Sequence, residues 1–538
     1  MTPRVIVLGW DGATWDLVDR LAADGKLPNV AALCSRSVHA AMASAHPPVT
    51  APAWVSMATG VNPGRHGCFD FNKPDGALGK LRPLQAWDIA EKAFYEVLEE
   101  RGRKAVLINL PVTYPPLTGQ TTLTSLLTQG DNAVFPEALK DTYPALKGYR
   151  CFPDTALRAR GDVEGYLRDI RALEAARFEC LKALWDEPWD CMFCVVSGTD
   201  WVSHEAFPEL MRGEYEKVPE ALGMFQDADR TLGWVLERLG PEDHLLMVSD
   251  HGFTTAKGVF YLNEWLEERG FLVPDWTRPA FPPSHRMEEA AMKAAEGKKA
   301  HVPAAILCAV HRSAPVRFFA KVARKLGVIW PLSLAVDPAA SKASTLTAEC
   351  HGLTIHDRDA FPDGAVASCE VPGLMDTLET RLRDLRDIDG EPVFASVRRR
   401  EDVYHGPKTQ EAAHILLGPS KWGVAAAIKA LKTIPFVHHP MGIHASEGLF
   451  LGAGPAFAKG RLPARSVDIT DVAPLIFHLL GELIPEGLDG QLLPGLLAPQ
   501  YLEAHPPRYA PVSLPGRTRG DLDAEAIQEK LRGLGYMG

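Results

Sequence analysis

Seven side chains that bind metals or attack electrophiles occur where short apolar runs give way to Gly, Pro or Ser: Asp11, Thr50, the pair Asp200 and His204, the pair Asp250 and His251, and His444. Strand ends of an α/β sheet deliver site residues in this way. Carboxylates and imidazoles without thiolates suit zinc, and manganese tolerates the same donors. Two Asp/His couples, a lone Asp and a lone His can serve two adjacent divalent cations. A hydroxyl beside them is a nucleophile that a cation can activate. The pattern points to metal-assisted hydrolysis.

Taken singly, each residue has a plainer role open to it. Asp11 stands between a strand and a helix, where Asp commonly caps free helix amides. Asp200 and His204 are spaced i,i+4, which on a helix puts both on one face, as chelation of one ion requires. Asp250 and His251 directly follow the run HLLMV, and at a strand end they can serve neighbouring ions or converge on one. His444, in Gly442-Ile443-His444, is expected in a polar loop ahead of the last strand. Thr50 lies in PPVTAPAW; Pro52 suits a first helical turn, so Thr50 falls near an N-cap. Helix N-termini also favour anions.

The elements that must carry these residues can be read from the apolar pattern. Val5–Leu8, Lys104–Leu110, Asp190–Val196, His244–Val248 and Gly448–Leu451 read as buried strands. Amphipathic helices are expected after Gly12 and over Ala90–Arg101, Val163–Trp185 and Phe225–Leu239. This alternation predicts an α/β fold with a mostly parallel sheet covered on both faces. A Pro-rich and then basic stretch breaks the rhythm. The domains are therefore expected as a discontinuous core at 1–277 and 343–510, an inserted helical cap at 278–342 with one solvated basic face, and a docking tail at 511–538.

With 538 residues, 46% of them hydrophobic, the chain can bury a large core, and its net charge of −11 gives no global attraction to a nucleic-acid polymer. No apolar run approaches the roughly 18 residues that span a bilayer. The first residues enter a strand without a signal-peptide pattern, so a cytoplasmic location is expected. Nine cysteines without regular spacing argue against a disulfide framework. Cys191 and Cys194 form CxxC inside a strand and read as core. His66 reads as a loop-ordering residue, and His438-His439 as a possible border of the entrance.

The strings VLGWDG, PPVTAPAWVSMATGVNPGRHG, TDWVSH, VSDHGF and GIHASEG, in this order, resemble the alkaline phosphatase superfamily. Within it the chain is similar to type I phosphodiesterase/nucleotide pyrophosphatase-like proteins. NLPVTYPP, FYLNEWLEERGFL and LRGLGY look like the prokaryotic branch of phosphohydrolases and phosphomutases. The resemblance implies an alkaline-phosphatase-like fold and a two-zinc site, one ion on Asp200, His204 and His444, the other on Asp11, Asp250 and His251. Thr50 beside the second ion would be both ligand and nucleophile. A small-molecule phosphate ester would be cleaved through a phosphothreonine, with phosphodiesters preferred because no cation flanks Thr50. A phosphotransferase or phosphomutase on the same site is the near variant, and an inactive scaffold acting as a binding protein the distant one. Thr50, and Trp54 where a sulfatase would carry Arg, argue against sulfatase chemistry. The family's phosphoryl-binding Asn has no clear counterpart; Asn109 is the candidate, and Trp54 is a candidate apolar wall for substrate.

Overall fold

Val5–Trp10 (β1) is buried along its whole length. Alternation divides it: Val5 and Val7 face one apolar cluster, Ile6, Leu8 and Trp10 the other. A strand with no polar face must be covered on both sides, and each Val or Leu so buried contributes about 1.5–3 kcal/mol. The other strands of this sheet are Val38–Ala43 (β2), Ala105–Ile108 (β3), Thr121–Leu123 (β4), Val134–Phe135 (β5), Cys191–Val196 (β6) and His244–Val248 (β7). Between β7 and the strand Glu447–Ala453 (β10) the chain makes a pair of long strands, Gly252–Tyr261 (β8) and Phe436–Ala445 (β9). This computed structural model describes residues 3–76, 78, 80–279, 334–347, 351–418, 420–428, 435–463, 467–517, 520 and 524–534.

The main sheet runs in the order Gly460–Arg461, β2, β10, β7, β1, β6, β3, β4, β5. Neighbours from β7 to β4 are parallel, while β10 runs antiparallel to both β7 and β2. The last apolar run, Gly448–Leu451, is thus a strand of opposite direction. One cluster is covered by helices Val163–Ala183 (α3), Gly198–Arg212 (α4) and Pro219–Leu236 (α5). The other is covered by Val472–Leu479 and by part of Thr50–Thr59 (α2). Trp15–Ala23 (α1) follows β1, burying Trp15, Leu17, Val18 and Leu21. The C-terminal helix Ala524–Leu534 (α6) sets Ile527, Leu531 and Leu534 into the first cluster.

A third apolar cluster stands apart from the sheet. Leu353, Ile355, Leu378 and Ile415 pack there with Phe260, Leu262 and Trp265, around a small sheet containing Gly352–Ile355 and Ile415–Leu417. Residues between Ala343 and Ile428, expected in the core, therefore build a lobe with the end of β8, while β10 and Val472–Leu479 belong to the main sheet and its cover. Gly352–Ile355 and Ile415–Leu417 are buried along their whole length and are too short to show a period in the sequence. Of the expected cap at 278–342, residues 280–333 lie outside the described residues.

Candidate metal centre

Three adjacent parallel strands end level, because Gly9 of β1 is paired with Val248 of β7 and Val195 of β6. Each then releases an acid: Asp11 after β1, Asp250 after β7, and Asp200 in the first turn of α4 after β6. All three are at most 1% exposed. Thr14, not Asp11, occupies the N-cap of α1, so the Asp11 carboxylate is not engaged in capping. The chain leaves Asp11 through Gly12, whose φ of +67° is left-handed and whose missing Cβ would stand 2.6 Å from the Phe253 ring. The Gly12 N–H donates to Asp250 Oδ1 at 3.1 Å and ties the two strand ends together.

The histidines arrive by two routes. His204 follows Asp200 by one turn of α4, as its spacing predicts, and its Nε2 lies 3.4 Å from Asp200 Oδ1. His444 lies in a ten-residue strand rather than the expected loop: β9 pairs antiparallel with β8, setting His444 opposite Phe253. That register brings its ring to 3.8 Å from the His251 ring, nearly parallel. Gly442-Ile443-His444 reads as polar in the sequence because its pairing partner is remote in the chain.

The hydrogen bonds of these rings fix what they offer. His444 Nδ1–H donates to the Pro48 carbonyl at 3.0 Å, and His251 Nδ1–H to the Gly252 carbonyl at 3.2 Å. A neutral imidazole that donates from Nδ1 has only a lone pair at Nε2. His444 Nε2 is engaged in hydrogen bonds, at 3.1 Å to Asp200 Oδ1 and 2.9 Å to His204 Nε2. The His251 lone pair lies 3.2 Å from Asp250 Oδ2 and 3.7 Å from Asp11 Oδ1. The 3.2 Å approach lacks hydrogen-bond alignment, since His251 Nε2, Asp250 Oδ2 and Asp11 Oδ1 are all buried without a partner. Acceptors turned on acceptors in a dry site need a cation between them. The donor atoms of Asp200, His251 and His444 lie within 4.8 Å of one another, as do those of Asp11, Asp250 and His251. His251 belongs to both groups, so they are adjacent.

Protonation follows the same logic. Burial, then the charges of Asp250 and Asp200, push the Asp11 carboxyl well above its usual range. Burial raises Asp250 to about 7. Burial would also raise Asp200, but His204 and His444 beside it hold it well below. Burial and the neighbouring His444 keep His251 neutral.

Thr50 is the first residue of α2, one position inside the cap, which is Val49. Its Oγ is completely buried, caps nothing and has no hydrogen-bond partner. Two contacts bracket it: Pro48 accepts from His444, and Trp54, one turn on along the same helix face, donates its indole N–H to Asp11 Oδ2 at 3.2 Å. The start of α2, where Thr50 stands, is thus tied to both ligand groups.

Two substrate-binding expectations change. Trp54 is fully buried, packed edge-on against Phe193 at 5.8 Å and beneath Gly9, so it orients Asp11 and forms no wall for substrate. Asn109, at a left-handed φ of 60°, gives its amide hydrogens to Val195 O at 3.0 Å and Ser197 Oγ at 2.8 Å. With both donors committed, it ties β3 to the start of α4 and has none left for a phosphoryl oxygen. His66 bonds Ser56 and the Cys68 N–H, which orders the loop after α2. Cys191 and Cys194 point into opposite clusters and share no ligand. His438 is exposed and lies on Trp422 at 4.9 Å.

The sequence reading missed two imidazoles. His46 precedes the Pro47-Pro48 bend, and burial with Arg398 nearby lowers it to about 4. His351 comes from the lobe at a left-handed φ of 40°, lowered to about 3 by burial and by its neighbours His444 and His46. Burial holds both neutral, and His46 lies two residues before Pro48, which accepts from the ligand His444. Nothing in their local sequence marks them, because the lobe's fold brings His351 in.

A sequence model described as type I phosphodiesterase/nucleotide pyrophosphatase matches residues 5–328, more than half of the chain. The chain belongs to this family. Phosphoester hydrolysis is the chemistry the family is named for, and the two ligand groups suit a metal-dependent member. Among solved structures, phosphonoacetate hydrolase from Sinorhizobium meliloti 1021, in complex with phosphonoformate, is similar with a TM-score of 0.52 at 16% identity, covering 89% of this chain and 95% of that one. Murine ectonucleotide pyrophosphatase/phosphodiesterase 5 gives a TM-score of 0.48 at 14% identity, covering 92% of this chain and 100% of that one. At such identities the likeness is one of fold. No curated protein matches in sequence. Among the described residues no helix is long and apolar enough to cross a membrane.

Proposed function

We propose that the protein is a two-metal phosphoric ester hydrolase that prefers phosphodiesters and works through a phosphothreonine on Thr50. The observation that carries this reading is the Thr50 hydroxyl, buried without a partner at the start of α2, whose neighbours Pro48 and Trp54 touch His444 and Asp11, with the Asp11, Asp250 and His251 ligand atoms likewise buried without partners. Asp200, His204 and His444 would hold one divalent ion, Asp11, Asp250 and His251 the other. Zinc suits these donors best, and manganese is the alternative. When bound, the ions would supply Lewis acidity, acidifying the hydroxyl and neutralising charge on the phosphoryl oxygens.

The chain's own groups then act in order. Thr50 Oγ attacks phosphorus in line, forming an Oγ–P bond as the P–O bond to the leaving group breaks; the hydroxyl proton ends on the departing oxygen. Water displaces Oγ in the second step and restores the threonine. Helix N-terminal amides of α2, with the N–H groups of His46 and His351, would receive negative charge. Trp54 and Gly12 fix the Asp11 and Asp250 carboxylates, and the lobe between His251 and His444 confers specificity. Val49, Ala51, Pro52, Ala53 and Trp54 around Thr50 supply no cation for a dianionic monoester, which supports the diester preference. Comparing kcat/KM for matched aryl monoesters and diesters tests the reading. A monoester preference of about tenfold, about 1.4 kcal/mol, contradicts the diester assignment.

A further inference from the structure

A cavity of about 340 Å³ lies at the seam between the hydrolase core and the lobe, and it includes none of the seven residues of the metal centre. Its volume is that of a small-molecule pocket. One wall is the segment following α2, with Phe69, Asn72 and Leu84; the other is the lobe, with Leu346, Phe361 and Ala413. Asn72 is 6% exposed, and neither its amide oxygen nor its amide nitrogen has a partner. An amide buried this way is costly unless something bonds to it.

The cavity's charged groups have partners of their own. Lys73 Nζ lies 3.8 Å from Glu411 and 4.0 Å from Asp88, Arg400 Nε donates to Glu401 at 2.9 Å, and the buried Asp70 carboxylate accepts from the Thr347 hydroxyl and from the Asn72 backbone N–H at 3.1 Å. Apolar walls, partnered charges and one unpartnered amide select an uncharged group with an apolar body and a polar edge. The cavity is also near the metal centre. Phe69 on its wall packs against Tyr404 at 5.4 Å, Tyr404 donates to the His46 carbonyl at 2.6 Å, and Pro48, two residues on, accepts from His444.

We infer that this cavity receives an organic substituent of the phosphate ester, an uncharged aryl or alkyl group carrying an amide- or carbonyl-like edge that pairs with Asn72. The assignment rests on the phosphoester reading of the metal centre and adds its substrate class. Asn72, Phe361 and Ala413 then become specificity residues, outside the reacting groups.

Calorimetry with methylphosphonate, phenylphosphonate and (4-carbamoylphenyl)phosphonate on the metal-loaded protein tests this without turnover. The wild type is expected to bind phenylphosphonate at least tenfold more tightly than methylphosphonate, and the carbamoyl probe more tightly again. Ala413→Trp, which fills the cavity, should erase the phenyl preference and leave methylphosphonate binding unchanged. Asn72→Leu should keep or raise Tm, because it removes an unpaired amide, yet lose the carbamoyl advantage. Equal binding of methyl and phenyl probes to the wild type overturns the proposal, as does an Ala413→Trp variant that keeps the phenyl preference or weakens both probes alike. The hydrolase reading has its own control: Thr50→Ala should lose turnover while keeping phosphonate discrimination. A protein that discriminates but turns over no ester would contradict the hydrolase reading and leave the cavity assignment standing.

Discussion

The same strands carry acids at both ends, and the two ends are finished differently. At the N-terminal edge Asp243, which precedes β7, takes the Arg4 guanidinium at 2.7 Å and the Gly240 N–H at 2.8 Å. Burial would raise that carboxyl, but Arg4 and the backbone amide hold it below the usual range. Asp190, ahead of β6, pairs with Arg103 at 3.0 Å, and Arg103 also binds Glu482 at 2.8 Å. At the C-terminal edge Asp11, Asp200 and Asp250 converge, and the groups the structure sets against them are the imidazoles of His204, His251 and His444. One edge is closed by its own cations. The other concentrates negative charge that only something from outside can balance, which is the signature expected of a metal site and not of a structural salt-bridge network.

The largest expected effect breaks the catalytic edge alone. Thr50→Ala should lower kcat by three orders of magnitude or more, with fold and metal content intact, while Thr50→Ser keeps part of the activity because the attacking oxygen remains. Near-normal turnover by the alanine variant, measured on an aryl diester, would mean that the buried hydroxyl is not the nucleophile.

Trp54→Phe probes the support beneath it. Losing the indole donor to Asp11 removes an orienting contact, so metal affinity or activity should fall by about 10–100-fold. An unchanged metal affinity would show that Asp11 is placed by the backbone alone.

The opposite edge should give the reverse pattern. Arg4→Met leaves a half-buried carboxylate short of its partner and should cost about 1–3 kcal/mol of stability in denaturant melts, with kcat unchanged. A change in kcat would show that the two edges are not independent.

The smallest effect is one of pH. Asp11 and Asp250 have folded pKa values above their unfolded ones, Asp250 near 7, so at these two groups the folded metal-free protein binds more protons than the unfolded chain. Their contribution to stability must then fall as pH rises from about 4 towards 7, while buried His46 and His351, lowered to about 4 and about 3, contribute with the opposite sign. Asp243 has the opposite sign: its depressed carboxyl contributes stability above about pH 4 that is lost on acidification. Asp250→Asn should flatten the fall between pH 4 and 7. An Asp250→Asn variant whose metal-free Tm follows the same pH course as the wild type over that interval would contradict the assignment.

The sheet was legible in the sequence because fully buried parallel strands leave unbroken apolar runs, as VIVLGW and HLLMV do. The Asp200/His204 pair was legible because helical spacing is local. β2 was not, since VHAAMA is rich in Ala, a weak strand former whose partners lie far along the chain. The roles of Trp54 and Asn109 depend on which atoms their polar groups meet, and sequence does not carry that. The lobe's extent and the arrival of His351 beside His444 depend on pairing between segments more than fifty residues apart, Gly352–Ile355 with Ile415–Leu417.

The central claim is that the C-terminal edge is built for cations, and metal binding to the chelator-stripped protein tests it most directly. Titration with Zn²⁺, followed by calorimetry and elemental analysis, should show two equivalents bound per chain, one equivalent for Asp200→Ala, and two for Arg4→Met. A stripped wild-type chain that takes up no zinc or manganese would contradict the account.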